Sequence, residues 1–428
     1  MRKYTVSALI AAGLLAGAAS SASAADLGGN CCADLEERIA ELEATAARKG
    51  NRKVSLTISG WVGEQITWWD DKHESNIYVT GLGATLSSHF RFAGSAKISS
   101  DHSAGYVLHI EANTASALLG LNQNRDDPAT GGNGLSILES YWYLKSNSMG
   151  QVSVGQRSPA TDNLAILTDG SGSLVQANWV LFEGAGFFLR NGNAAFNGAN
   201  GLQWGNLIHC HTSGLGIGGD CTAGPGNIIR YDSPTIAGFS ASASYGEDDF
   251  WDAAARYAGE FSGFKLAFAA GYSQNTDYGV NNGKKVEQIQ VGGYVQHVAT
   301  GLFVHGAWLQ ENVSGSGSAI VDDATPEMWY VKGGIRQKWL PYGHTVAYGE
   351  YAQGTDKFSG ITNATGSTVN WWGLGLVQEI DAAAMSMWVK YRNVDGDVTL
   401  SAAGAGPSAG KNSFANLQMV TFGAMISF

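Results

Sequence analysis

Charge is scarce in this sequence: Asp, Glu, Lys and Arg supply 15% of 428 residues, against roughly 25% in soluble domains. Proline (7) and cysteine (4) are also few. No Lys/Arg run is dense enough to hold a phosphate backbone, and the net charge of -11 opposes one, so nucleic acid is excluded as a partner. Long apolar runs are missing too. Beyond the extreme N-terminus nothing approaches the ~18 apolar residues a lipid-crossing helix needs. Glycine, by contrast, is plentiful (58), and aromatic residues make up 11%. Little charge, much glycine and no long apolar run fit a membrane β-barrel, whose lipid face uses only alternate residues.

The N-terminus reads as a secretory signal over 1–24. Arg2 and Lys3 precede the apolar stretch 6–19, which is too short to span, and Ala22-Ser23-Ala24 fits a small-residue cleavage site. An exported chain meets an oxidising compartment, where cysteines usually pair. Cys210 and Cys221 would close a small ring within one loop, stabilising it by roughly 3 kcal/mol. Adjacent Cys31 and Cys32 cannot pair comfortably with each other, which leaves bonds between neighbouring chains open. Residues 25–53 form a separate periplasmic segment. Leu35, Ile39, Leu42 and Ala46 follow heptad spacing. The segment reads either as a short oligomerisation helix or as a solvated amphipathic one, since two heptads alone are marginal.

From Val54 the pattern switches to period two, broken by glycine-rich stretches. Sixteen strands are expected, at 54–69, 83–98, 105–113, 137–146, 151–157, 227–233, 239–247, 251–260, 264–273, 287–298, 302–311, 328–340, 345–353, 371–380, 384–394 and 414–428. Short connections alternate with long ones at 70–82, 114–136, 158–226, 274–286, 312–327, 354–370 and 395–413, with 248–250 the exception. Short turns at one end and long loops at the other mark an outer-membrane barrel. Phe90, Phe92, Ala96 and Ile98 share one strand face, and Arg91, Ser95 and Lys97 the other. The aliphatic face is expected to meet lipid and the charged face a lumen. Aromatics at strand ends support this: Trp68, Trp69, Trp251, Trp371 and Trp372 at the long-loop end, and Phe261, Trp339, Tyr342 and Phe428 at the other. The fold expected is therefore all-β, a 16-stranded antiparallel transmembrane barrel over 54–428 preceded by a short N-terminal helix.

Three stretches then carry a resemblance: NIIRYDSPTIAGFSASASYG (227–246), GSAKISSDHSAGYVLHIEA (94–112) and MGQVSVGQRSPATDN (149–163). Together they resemble the strand-turn-strand signatures of bacterial general porins of the alphaproteobacterial type. The resemblance implies a homotrimer of sixteen-stranded barrels in the bacterial outer membrane, each with its third long loop folded inward. It also implies that Phe428 is part of the signal read by the barrel-insertion machinery. On that basis 158–226 is the constriction loop. Its acids Asp162, Asp169 and Glu183 are expected to face wall bases Arg91, Lys97, Arg157, Arg230 and Arg256, with Lys332 and Arg336 further candidates. Acids on the loop facing bases on the wall would set a transverse field, the charge-ring logic of pores. The acidic total reads as a weak cation preference.

The function expected is passive diffusion of small hydrophilic solutes, with no catalytic residue, cofactor or metal. A substrate-selective channel and a plugged structural or adhesive barrel are the alternatives; an outer-membrane enzyme would need a nucleophile and base that the strands do not offer. Gly214, Gly216 and Gly219 fit a dinucleotide fingerprint without its βαβ setting. Gly406-Pro407-Ser408-Ala409-Gly410 fits a nucleophile elbow without its strand and helix. His209, His211 and the two nearby cysteines have zinc-ligand chemistry, but an oxidising compartment favours a disulfide there.

Overall fold

Period-two alternation becomes one closed sheet. The computed structural model describes residues 53–428 except 114–116, 119–120, 124–133, 192–193, 196–200, 212–215, 223, 248, 277–284, 315–324, 359–360, 362 and 403–407. The signal segment, the heptad helix with Cys31 and Cys32, and the loop acids Asp126, Asp127, Asp322 and Asp323 lie outside the described residues.

The barrel strands in chain order are β1 (Thr57–Asp70), β2 (Ser88–Lys97), β3 (His102–Asn113), β4 (Gly134–Ser146), β5 (Gly150–Arg157) and β6 (Gly226–Asp232). Then come β7 (Phe239–Gly246), β8 (Trp251–Phe261), β9 (Phe264–Asn275), β10 (Lys285–His297) and β11 (Leu302–Ser314). The circuit finishes with β12 (Glu327–Leu340), β13 (Gly343–Thr355), β14 (Ala364–Ile380), β15 (Met385–Leu400) and β16 (Leu417–Ser427). Each pairs antiparallel with the next. β16 then pairs with β1 from Trp61↔Ser427 to Asp70↔Gln418, so no edge is left unpaired in lipid. The sheet contains 18 strand segments, but two only prolong a barrel stave. Ser75–Gly81 continues β2 along β1, and Gly410–Ser413 continues β16 along β15. Sixteen staves remain, the expected number.

Two expected loops therefore carry ladder. In 70–82 the alternation of Ile77 and Val79 (exposed) with Tyr78 and Thr80 (buried) is real, but the charged residues ahead of it disguise it. Strands β14 and β15 also rise beyond the expected 371–380 and 384–394 through polar pairs such as Thr368↔Asp397. Hydrogen bonding across the ladder, which no local pattern records, sustains these extensions.

Faces sort by alternation. Val62, Ile66, Phe422 and Ile426 are exposed on the outer surface, as are Phe261, Trp339, Tyr342 and Phe428 at the short-turn end and Trp251 and Trp372 at the other. Phe428 pairs its backbone with Gly60 (3.1 and 3.0 Å) and lies 5.6 Å from Phe90, ring to ring. The tryptophan doublets split, because consecutive strand residues point to opposite faces. Trp69 and Trp371 are buried inside, Trp69 edge-on to Phe187 at 5.0 Å.

Candidate functional site

The described residues of the segment 158–225 turn into the barrel and pack against part of its inner wall. At its start the wall grips its backbone. Arg230 donates to the carbonyls of Ser158 (2.9 Å) and Pro159 (3.0 Å), and Arg256 donates to the carbonyl of Ala160. The Asp252 carboxylate accepts from both the backbone N–H and the hydroxyl of Thr161, each at 2.7 Å. On β10, Gln290 accepts from the Ala165 N–H (3.2 Å) and donates to the Thr161 carbonyl (2.6 Å).

Close approach there depends on a missing side chain. A Cβ at Gly292 would stand 2.5 Å from the Ala165 carbonyl oxygen. Gly292→Leu is expected to lift this stretch from the wall; conductance of the variant in a planar bilayer, set against wild type, reads the change.

Further along, the loop's acids turn away from open space. Asp169 pairs with Lys332 of β12 at 2.5 Å, both side chains buried, and Lys332 also donates to the Ala177 carbonyl at 2.9 Å. Glu183 pairs with Lys390 and, at 3.3 Å, with Arg392 on β15. Around these anchors Trp179, Leu181, Phe187 and Leu189 are fully buried against the wall. Strand β2 is interrupted just where the loop passes, and Leu82 and Leu86 turn in to the same apolar cluster, with Trp61 Nε1 donating to the Leu86 carbonyl at 3.1 Å.

Burial pushes the Asp169 and Glu183 carboxyls up, but Lys332 in one case and Lys390 with Arg392 in the other more than offset it, leaving both below their ordinary values of 3.8 and 4.5. A depressed folded value contributes stability that is present above the ordinary value and is lost as pH falls through the folded one. The anchors should therefore hold from about pH 8 to about pH 5 and give way only on acidification below roughly 4, with a rise in conductance as they protonate. A pH series on single channels checks this.

The loop's far end carries a disulfide. Cys210 and Cys221 are bonded, Sγ to Sγ at 1.95 Å, and buried. Lys357 donates to Cys221 Sγ at 3.1 Å and to Glu311 Oε2 at 2.8 Å, and Ile208–His209 pairs with Lys357–Phe358 in a short parallel ladder. Replacing both cysteines by serine should leave barrel melting unchanged, since the sheet does not depend on the ring. It should speed proteolysis within 201–225, because a ring this small contributes about 3 kcal/mol locally. Cleavage mapping by mass spectrometry reads the outcome.

Open space remains on the opposite side, a cavity of ≈ 580 Å³ between the loop and strands β2 to β9. Arg91, Arg157, Arg230 and Arg256 line it, with Glu139, Asp162 and Asp232. Asp232 is shared by Arg157 (2.9 Å) and Arg230 (2.7 Å), and Glu139 stands 3.9 Å from Arg91. Burial pushes the Asp162 carboxyl up, and Asp220, a second acid of the loop, shares a hydrogen bond with it. The loop presents mainly apolar and neutral residues here, among them Leu164, Ile166 and Leu174.

Of the residues expected at a constriction, the cavity thus brings together Arg91, Arg157, Arg230, Arg256 and Asp162. Three lie elsewhere. Lys97 is exposed near the short-turn end of β2, and Asp169 and Glu183 anchor the loop to the far wall. Of the further candidates, Lys332 is one of those anchors and Arg336 pairs with Glu379 at 2.7 Å. A loop carrying buried acids next to buried bases neutralises both, since an unpaired charge there is costly. The wall acids Glu139 and Asp232 were missed by sequence reading. Asp232 lies two residues on from Arg230 in β6, so alternation would have found it, whereas Glu139 sits beside a register irregularity in the β3–β4 pairing that breaks the alternation.

A closed antiparallel barrel with aliphatic outer faces, aromatic ends and a charged interior narrowed by an infolded loop defines an outer-membrane channel. A family model described as Gram-negative porin matches residues 7–399, and the chain belongs to that family. It is a bacterial outer-membrane channel for passive diffusion. Solved structures of similar fold include the anion-selective porin from Comamonas acidovorans (TM-score 0.56, 16% identity, covering 88% of this chain and 100% of that one). Two others are OmpT of Vibrio cholerae in a trimer form (0.51, 11%, 88% and 99%) and OmpF of Salmonella typhi in complex with daunomycin (0.50, 13%, 88% and 98%). A comparison with curated proteins finds no match.

Proposed function

We propose that small hydrophilic solutes pass along the arginine-lined side of the lumen, with anions preferred. The observation that carries this is the cavity's charge: four arginines against three carboxylates, one of the carboxyls pushed up by burial. The charges that matter are those along the path, so the acidic total of the chain does not set the preference, and the cation preference read from it gives way. The anion-selective porin of similar fold is consistent with such a lumen. The residues proposed for the constriction are Arg91, Arg157, Arg230, Arg256, Asp162, Glu139 and Asp232. We further propose a homotrimer of the alphaproteobacterial type, supported by the three quoted stretches and by the trimer form of a barrel of similar fold.

Planar-bilayer recording across a salt gradient tests the reading. Insertions in threes, a reversal potential on the anion side and conductance linear in salt are expected. Folded barrels that insert but stay silent would instead establish the plugged barrel, which the apolar cluster inside the barrel makes the second reading.

A further inference from the structure

One cluster on the channel wall has no part in holding the loop and borders the arginine-lined cavity. His89 on β2 lies directly across the ladder from Glu111 on β3, and Arg91 across from His109. The two imidazoles and the Glu111 carboxylate each offer a ligand atom, and these three atoms lie within 4.8 Å of one another. All three side chains project from the same face of two adjacent strands, because residues two apart along a strand share a face.

The hydrogen bonding leaves the ligand positions open. His89 uses Nδ1 on the Ser87 carbonyl at 3.0 Å, which frees Nε2. His109 Nε2 has no partner, and neither has Glu111 Oε1. The Glu111 side chain is 2% exposed, so an ionised oxygen there without a partner is costly. The carboxylate otherwise accepts from the backbone N–H groups of Thr85, at 3.3 Å, and of Ser87. Buried polar atoms are normally satisfied by protein, water or an ion.

We propose that His89, His109 and Glu111 bind a divalent transition-metal cation of the zinc class on the pore wall. Two imidazoles and one carboxylate are a ligand set zinc accepts, with the fourth position left to water. Ligand atoms around a tetrahedral zinc stand about 3.4 Å apart, so side-chain rotation suffices to close the set. Supporting groups are in place: the Ser87 carbonyl fixes the His89 ring, and Trp61 stacks edge-on at 4.0 Å. Glu139 Oε2 stands 3.9 Å from His109 Nδ1, the carboxylate-behind-histidine arrangement that orients such ligands. Around the cluster the carboxylates of Glu111 and Glu139 are balanced by Arg91 and Arg157 near Glu139, so the ligand set itself, rather than a local excess of negative charge, would hold the ion. His89 and His109 both line the water-accessible cavity, which gives the ion its route in.

Magnesium and calcium, which take oxygen ligands, should not occupy the site. A bound zinc would add two positive charges to a wall already rich in arginine and shift the channel further toward anions.

The test uses the refolded full chain without an affinity tag. Titration with Zn²⁺ followed by calorimetry, and with Co²⁺ followed by visible absorption, should each show one ion per chain with nitrogen ligation. Mg²⁺ at equal concentration should show none. His89→Ala and Glu111→Gln should each weaken uptake at least about tenfold, with folding confirmed by the heat-modifiable gel mobility of the barrel. His109→Gln serves if either variant fails to fold. In bilayers, micromolar Zn²⁺ should move the reversal potential of wild type toward the anion side and leave the variants unmoved. No uptake of Zn²⁺ or Co²⁺ by wild type overturns the proposal. So does uptake unchanged in the variants, which would assign it to exposed histidines such as His102. Because uptake is measured without reference to selectivity, a channel that proves cation-selective would leave this result standing.

Discussion

Glu183→Ala should raise single-channel conductance at pH 7 by about twofold or more and add rapid flicker, because it breaks a buried ion pair. In the wild-type protein the Glu183 carboxylate sits between Lys390 and Arg392, all three almost fully buried. Truncation leaves Arg392 with Glu350 at 2.8 Å but strands Lys390, whose other bond is to the Gln176 carbonyl at 2.9 Å. Breaking a buried pair from one side costs about 3–5 kcal/mol. The opposing force is the apolar cluster of Trp179, Leu181, Phe187 and Leu189, each side chain contributing roughly 1.5–3 kcal/mol. Loss of the charged anchor is expected to release this part of the loop despite that packing. The barrel ladder is untouched, and its melting temperature should change little. Glu183→Gln, which keeps hydrogen bonds and loses charge, should fall between. Unchanged conductance and noise in Glu183→Ala would mean that apolar packing alone holds the loop.

The second large effect concerns ion preference. Arg91→Glu combined with Arg157→Gln should carry the channel from anion to cation preference. The pair changes from +2 to -1, three unit charges at the edge of the cavity. At about 7 Å in a near-aqueous medium each unit is worth roughly 0.6 kcal/mol, halved by screening at 0.1 M salt. Three units then shift each ion by about 1 kcal/mol, in opposite senses for anion and cation, so the permeability ratio moves by more than about tenfold. Arg91 and Arg157 suit the test because Arg230 and Arg256 also hold loop backbone. Reversal potentials across a salt gradient give the ratio. A ratio that does not move would place the selectivity step away from this cavity.

Strand positions, the closure of β16 onto β1 and the division into short and long ends were legible because they rest on local alternation and turn chemistry. A residue's neighbours two positions away report its face. The same rule separates the two members of each tryptophan doublet, yet sequence reading places all four in the aromatic belt, and Trp69 and Trp371 are buried inside instead. Charge partners were not legible. Asp169, Glu183 and Asp162 look alike along the chain, yet the first two are buried anchors and only the third lines the cavity.

What the sequence by itself determined is the barrel: its alternation, its apolar outer faces and a long third connection carrying both acids and cysteines. Only the tertiary structure decided how that connection crosses the interior. Glu183 meets Lys390 across 207 positions of chain, and His89, His109 and Glu111 converge through the register of two strands. Pairings of that kind are selected by burial and by the cost of an unpaired charge, which act through space and leave no periodic trace along the chain.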